Sequence, residues 1–250
     1  MIKRIFREYP AAAIAFILFT VAFVLSYAVN ASSVIEADFL LSLVFAVPAA
    51  VFALLLLCFV KRKTKKNTAF AVSMIAALIG IAFLAFSFML VNIAEAVRTV
   101  TDISLYDRAR TMSGYAYKVK KDEDAYIFPE ELPDSVKRSP DTVFEYTPQF
   151  LQGAELLTLG YKTSADEFAK IERELSKKAS GVFRGDENVI CGKAGLSLYY
   201  PEKYAGEKEK FSAYVFLAEP YTEDSFNHGT AVYALLCRED GVVIYVYENF

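Results

Sequence analysis

The chain has 250 residues, is 55% hydrophobic and carries a formal net charge of −3, with one histidine and three cysteines. That charge is divided: residues 1–94 hold eight Lys/Arg against three Asp/Glu, and residues 95–250 hold nineteen against twenty-seven, so the halves carry +5 and −8. The division excludes a single evenly mixed soluble domain, and the acidic second half excludes nucleic acid as a partner.

Three apolar segments come first, at about residues 10–29, 39–60 and 68–94, and none contains an acidic or basic side chain. A helix needs roughly 20 residues to cross a hydrocarbon core about 30 Å thick. All three are long enough, and the third exceeds the need and has to tilt or protrude. Residues 1–94 are therefore expected to form a membrane domain of three transmembrane helices. Before the first span lie Lys3, Arg4 and Arg7, and between the second and third lie Lys61, Arg62, Lys63, Lys65 and Lys66, while residues 30–38 contain Glu36 and Asp38 but no Lys or Arg. Basic loops stay in the cytoplasm. These eight residues set the topology: N-terminus and basic loop inside, residues 95–250 outside. The first span also has the basic start and small-residue stretch of a cleavable signal, which would remove one crossing and leave the later residues outside. Pro48 is expected to kink the second span. Ser42, Ala46 and Ala50, and Ala76 with Gly80, recur at four-residue spacing and suit close helix packing, either within the chain or between copies. Cys58 is a small apolar residue that could also accept a lipid chain.

Residues 95–121 are expected to be a stalk and connection, helical to about Arg110, with Gly114 as its end. Residues 122–140, rich in proline and charge, are expected to be an extended surface connection. Residues 122–250 then have the pattern of an extracytoplasmic α+β domain with a mainly antiparallel sheet and one main helix. Strands are expected at 142–147, 155–162, 188–191, 196–200, 211–219, 230–237 and 242–247. The helix follows Ser164, whose spacing to Glu167 makes a capping box; Phe168, Ile171 and Leu175 share one face, and Gly181 is positioned to close it. Asp240-Gly241 predicts a type I′ hairpin turn. Several strands are apolar on both faces, so the sheet is expected to be covered on both.

Catalytic chemistry finds little to use. His228 is the one histidine and falls in a polar loop. The carboxylates at Asp122, Glu123, Asp124, Glu130 and Glu131 fall in a solvated connection. No metal or cofactor motif is present, and none is expected to bind. Cys191 and Cys237 could form a disulfide in an oxidising exterior or stay as buried thiols; both alternatives are open. Tyrosine is concentrated after residue 95, and Tyr199, Tyr200, Tyr204, Tyr214 and Tyr221 could line a binding face or fill a half-buried sheet. The plan of basic N-terminus, three spans and outer α+β domain resembles that of many bacterial cell-envelope proteins. The expected function is therefore a non-enzymatic multi-pass membrane protein that presents an extracytoplasmic ligand- or protein-binding domain. A carboxylate-dependent envelope hydrolase and an accessory subunit of a transporter are the alternatives. Expected partners are the lipid bilayer, another membrane or envelope protein, or a second copy of the chain.

Overall fold

The computed structural model describes residues 2–31, 43–96, 99–148, 154–191, 193–226 and 229–250. The chain divides into two compact units, Met1–Glu95 and Ala96–Phe250.

The first unit begins with a short helix α1 (Ile2–Glu8), followed by the long helices α2 (Pro10–Ala31), α3 (Val47–Arg62) and α4 (Lys66–Ala96). Among the described residues, three apolar segments are long enough to span a bilayer: Pro10–Ala28, Leu43–Arg62 and Lys66–Val91. Residues 39–42 of the expected second span lie outside the described residues. Only 22%, 28% and 17% of the three apolar windows are buried, so most of their surface needs an apolar solvent. Leu18, Leu54, Leu78 and Ile79 are each more than 60% exposed. Aromatic rings and alanines fill the inside of the bundle: Phe19 stacks on Phe52 at 5.4 Å, Tyr9 meets Phe59 at 5.6 Å, and Ala12, Ala15, Ala49 and Ala69 let the backbones approach. Gly80 belongs to this packing, because a Cβ there would lie 2.7 Å from the Phe19 ring.

Pro48 does not kink the second helix in mid-span. It sits in the first turn of α3, where its missing N–H is not needed, and a 3₁₀ turn at Leu43–Ala46 precedes it. Proline thus starts the regular helix here.

The second unit contains α5 (Tyr106–Met112), α6 (Gly114–Val119), α7 (Asp134–Lys137) and α8 (Ala165–Lys178), with eight strands among the described residues. These are β1 (Val143–Thr147), β2 (Glu155–Lys162), β3 (Gly181–Arg184), β4 (Val189–Cys191), β5 (Ala194–Leu196), β6 (Ser212–Glu219), β7 (Thr230–Cys237) and β8 (Val242–Asn249). Six of them form an antiparallel sheet in the order β1-β2-β8-β7-β6-β3, and β4 pairs with β5 as a separate hairpin. β7 and β8 are buried along their whole length. Residues 238–241 join them, and Gly241 has φ +64 while Asp240 keeps negative φ, so the connection is a four-residue turn closed by glycine and not the expected type I′ turn.

Both faces of the sheet are covered. On one, Ala213, Val215, Tyr233, Leu235, Ile244 and Val246 pack under the β4–β5 hairpin and under Leu198, Tyr200, Tyr204 and Phe211. On the other, Tyr245 and Tyr247 pack against Phe128 and Tyr115, and α8 presents Phe168 and Leu175, both buried.

The helical stalk expected from 95 to 110 is not what residues 99–119 form. Val100 pairs with Tyr146 through backbone hydrogen bonds of 2.8 and 2.9 Å. A 3₁₀ turn, Ile103–Leu105, and the short helices α5 and α6 then lie within the second unit, burying Tyr106, Tyr115 and Val119. Gly114 begins α6 instead of ending a helix. Its bare Cα is needed there, because a Cβ would sit 2.0 Å from a Glu155 carboxylate oxygen. Two further expectations differ. Gly181 starts β3, the helix having ended at Lys178 with Ala179 already extended, and residues 197–200 run as irregular backbone across the sheet.

Candidate ligand-binding cleft

A concavity of the second unit lies between α8 and the 122–140 connection, with Tyr161 of β2 and Tyr245 of β8 in its floor. Its volume is about 870 Å³, within the range of cavities that hold small ligands. Three structural features position its walls.

α8 is fixed first. The Ser164 hydroxyl accepts the Glu167 N–H at 3.3 Å, closing its N-terminus. Phe168 and Leu175 anchor one face on the sheet and leave Ile171, half-buried, on the cleft side. Glu172 then accepts the Tyr214 hydroxyl at 3.2 Å and a bond from the Arg238 guanidinium, tying the helix to β6 and the end of β7.

The connection is fixed by its own buried residues. Ala125, Phe128, Leu132 and Val136 are all buried, so this proline-rich stretch is a strap clamped onto the domain. The Tyr106 hydroxyl donates to the Pro129 carbonyl at 2.6 Å, and the Phe128 N–H donates to the Tyr115 hydroxyl at 3.1 Å. Arg110 reaches the Tyr126 hydroxyl at 3.1 Å. At the far end, Lys178 donates to the Glu123 carbonyl at 3.2 Å, joining α8 to the strap.

The floor is aromatic. Tyr161 on β2 and Tyr245 on β8 lie 6.2 Å apart, and Tyr126 stacks on Tyr115 at 4.9 Å. Burial pushes the Tyr161 and Tyr245 hydroxyls up from their ordinary value, so both stay neutral as donors and acceptors. Glu131, Glu167 and Glu174 stand on the exposed walls, with Lys162 and Lys178 beside them. The combination is ring faces, neutral hydroxyls and carboxylate acceptors. It suits recognition; of the lining hydroxyls, that of Ser164 is already engaged in capping α8.

Among the described residues two carboxylates are buried, Glu155 and Glu248, and neither lines this cleft. Glu155 accepts hydrogen bonds from the Gly114 N–H at 2.9 Å, the Tyr146 hydroxyl at 3.2 Å and the Tyr247 hydroxyl at 3.3 Å. Glu248 accepts from the Tyr233 hydroxyl and from the Tyr199 N–H at 3.3 Å. Burial pushes the Glu248 carboxyl up to about 7, against the pull of those two donors. Register places the two acids apart: Glu155 pairs with Asn249 and Leu156 with Glu248, and successive residues of a strand face opposite sides. They therefore do not converge as an acid/base pair.

The tyrosines picked out from the sequence do not share one binding face. Tyr200 and Tyr204 are core residues beneath the hairpin layer, and the Tyr200 hydroxyl donates to the Gly185 carbonyl at 2.9 Å. Tyr214 is buried under α8 on the opposite face. Tyr199 is half-buried and donates to Glu145 at 2.6 Å. Of the five, Tyr221 alone is exposed, at 68%. The cleft uses Tyr126, Tyr161 and Tyr245 instead. The parity of Tyr161 along β2 and of Tyr245 along β8 was readable in the sequence, but the pairing of β2 with β8 was not.

Cys237 is a free, buried thiol 3.5 Å from an Asp240 carboxylate oxygen, so the bond considered between Cys191 and Cys237 is not formed. β7 carries Cys237 in the sheet, whereas β4 carries Cys191 in the separate hairpin. Cys58 is free and exposed. His228 lies outside the described residues. Among the described residues, no group of three or more His, Cys, Asp or Glu is arranged to hold a metal ion. Of the basic residues expected to set the topology, Arg7, Lys63, Lys65 and Lys66 line one cavity, and Lys61 and Arg62 lie in the last turn of α3 at the same end of the bundle. No family model, curated protein or solved structure matches this chain.

Proposed function

We propose that this chain is a multi-pass protein of a bacterial cell membrane that presents residues 96–250 outside the cytoplasm as a non-enzymatic, ligand-binding domain. The cleft between α8 and the strap carries the reading: an aromatic floor with carboxylates on its walls fits a ligand that combines a ring or apolar face with hydroxyl or amine donors. Fragments of envelope glycans and short peptides have that chemistry.

The orientation is supported by the first unit. The two basic clusters, separated by two spans in the sequence, lie at one end of the bundle, where the Tyr9 hydroxyl reaches the Phe59 carbonyl at 3.0 Å and the Thr64 carbonyl at 3.4 Å. Retention of that end in the cytoplasm puts the C-terminal end of the third span on the other side.

Two measurements test the proposal. Protease added to intact spheroplasts is expected to digest residues 96–250; protection of that unit until lysis would overturn the orientation. Thermal unfolding of the detergent-solubilised full chain is expected to rise by several degrees with at least one member of a panel of wall glycans, peptides and amines at saturating concentration. Filling the cleft with Ile171→Trp is expected to abolish the rise. A panel without effect, or a rise unchanged in Ile171→Trp, would overturn the binding site.

A further inference from the structure

The basic end of the bundle has a feature that charge asymmetry alone does not require. Two cavities meet there, of about 470 Å³ and 340 Å³, and they share Arg7, Glu8, Tyr9 and Lys66. The larger is a charged mouth. Arg7, Lys63, Lys65 and Lys66 line it, four cations against the one carboxylate of Glu8. The smaller runs between the start of α2 and the start of α4; beyond the four shared residues it is lined by Pro10, Ala11, Ala12, Ala69 and Phe70, with Asn67 and Ser73 as its polar members.

The local structure holds this shape. Tyr9 is buried and reaches the Phe59 and Thr64 carbonyls, so the corner between α1 and α2 is tied to the α3–α4 loop. Lys63 takes a left-handed backbone conformation, φ 48, to end α3, and its N–H returns to the Phe59 carbonyl. The loop that carries Lys63 and Lys65 and leads into Lys66 at the start of α4 is thus turned back over the end of the bundle. α2 starts at Pro10, α3 ends at Arg62 and α4 starts at Lys66, so the cations ring the ends of the apolar helices, at the depth of lipid head groups.

We propose that this end of the bundle is a seat for one anionic phospholipid. Its phosphate occupies the mouth, where the Arg7 fork can hold two oxygens and the lysines add point charge. Its glycerol and the start of an acyl chain enter the slot between α2 and α4. A free phosphate would use the mouth alone and gain nothing from the slot; the apolar slot selects the lipid. This inference rests on the helices spanning a membrane and not on which side their basic end faces.

The test is native mass spectrometry of the full chain released from detergent, with phosphatidylglycerol and phosphatidylcholine of equal chain length added together. Preferential retention of one phosphatidylglycerol is expected. Removing two cations with Arg7→Gln and Lys65→Gln leaves six topology-setting residues in place. At about fivefold per cation near a membrane surface, it should lower that retention about 25-fold. Ala11→Leu changes no charge and fills the slot, and it should lower retention while tyrosine circular dichroism stays unchanged. Millimolar inorganic phosphate should not displace the lipid. Equal retention of the two lipids, an Ala11→Leu chain that holds phosphatidylglycerol as the unaltered chain does, or displacement by inorganic phosphate would each overturn the proposal.

Discussion

The two units of this chain solve the same packing problem in opposite solvents. In the first, the large apolar side chains point outward, with Leu78 at 66% exposure, while the interior is built from alanine and a few rings. Inside its spans hydroxyls bond within their own helix: Thr20 donates to the Phe16 carbonyl and Ser73 to the Ala69 carbonyl, each four residues back, and only at the helix ends does the Tyr9 hydroxyl, among those described, cross to the Phe59 carbonyl. In the second, the large apolar and aromatic side chains lie between layers, and polar groups find partners far away in sequence. Glu155, for example, is held by Gly114 and Tyr247. Lipid makes an unpartnered polar group so costly that each helix has to be self-sufficient. Water allows a tertiary network in which a buried acid can persist, provided the fold brings donors to it.

That contrast can be broken experimentally, and the largest effect is expected from paired truncations. Leu157 on β2 is fully buried, and Leu157→Ala should destabilise the second unit by roughly 2–5 kcal/mol. Leu78→Ala, on the outward surface of α4, should change stability by less than about 0.5 kcal/mol. Urea unfolding followed by tyrosine emission measures the second unit selectively, since the chain has no tryptophan and only Tyr9 and Tyr27 precede residue 95. Equal effects from the two truncations would mean that the units do not differ as described.

The next effect depends on pH. The folded state raises the Glu248 carboxyl from its ordinary value near 4.5 to about 7, so the fold binds this proton more tightly than the unfolded chain does. Stability associated with Glu248 is therefore full below about pH 4.5, falls as pH rises toward 7, and stays lower above it. The loss is on the order of 3 kcal/mol. Glu248→Gln keeps the shape and can still accept from Tyr233 and Tyr199. It should match the unaltered chain near pH 4, exceed it in stability at pH 8, and flatten the profile between. A smaller effect is expected at the start of α8, where Ser164→Ala removes the cap and should cost about 1 kcal/mol. The same substitution loosens one wall of the cleft.

Local chemistry was legible from the residues themselves. Apolar length announced the spans, Ser164 and Glu167 announced the start of α8, and Asp240-Gly241 announced the last hairpin, because each of these is decided within a few neighbouring residues. β2 was readable as Glu155–Lys162 for the same reason: alternation at period two needs no partner strand to be seen. The stalk misled because residues 95–110 have helical spacing, yet Val100 finds a backbone partner in Tyr146, forty-six positions on, and that pairing outweighs the local preference. Pro48 misled in a simpler way. Proline marks either a kink or a start, and only the position of the first regular turn distinguishes them.

The sequence by itself determined that residues 1–94 belong with lipid, that the rest forms an α+β unit, and that charge is strongly asymmetric between them; composition and periodicity are sums over neighbours, and no fold is needed to take them. Tertiary structure alone decided which tyrosines meet at the cleft, that Glu155 and Glu248 lie on opposite faces, that Cys237 stays a thiol, and that Arg7 shares a cavity with Lys63, Lys65 and Lys66. Each of these depends on strand order or helix packing between positions tens of residues apart, where side-chain identity constrains the partner only weakly.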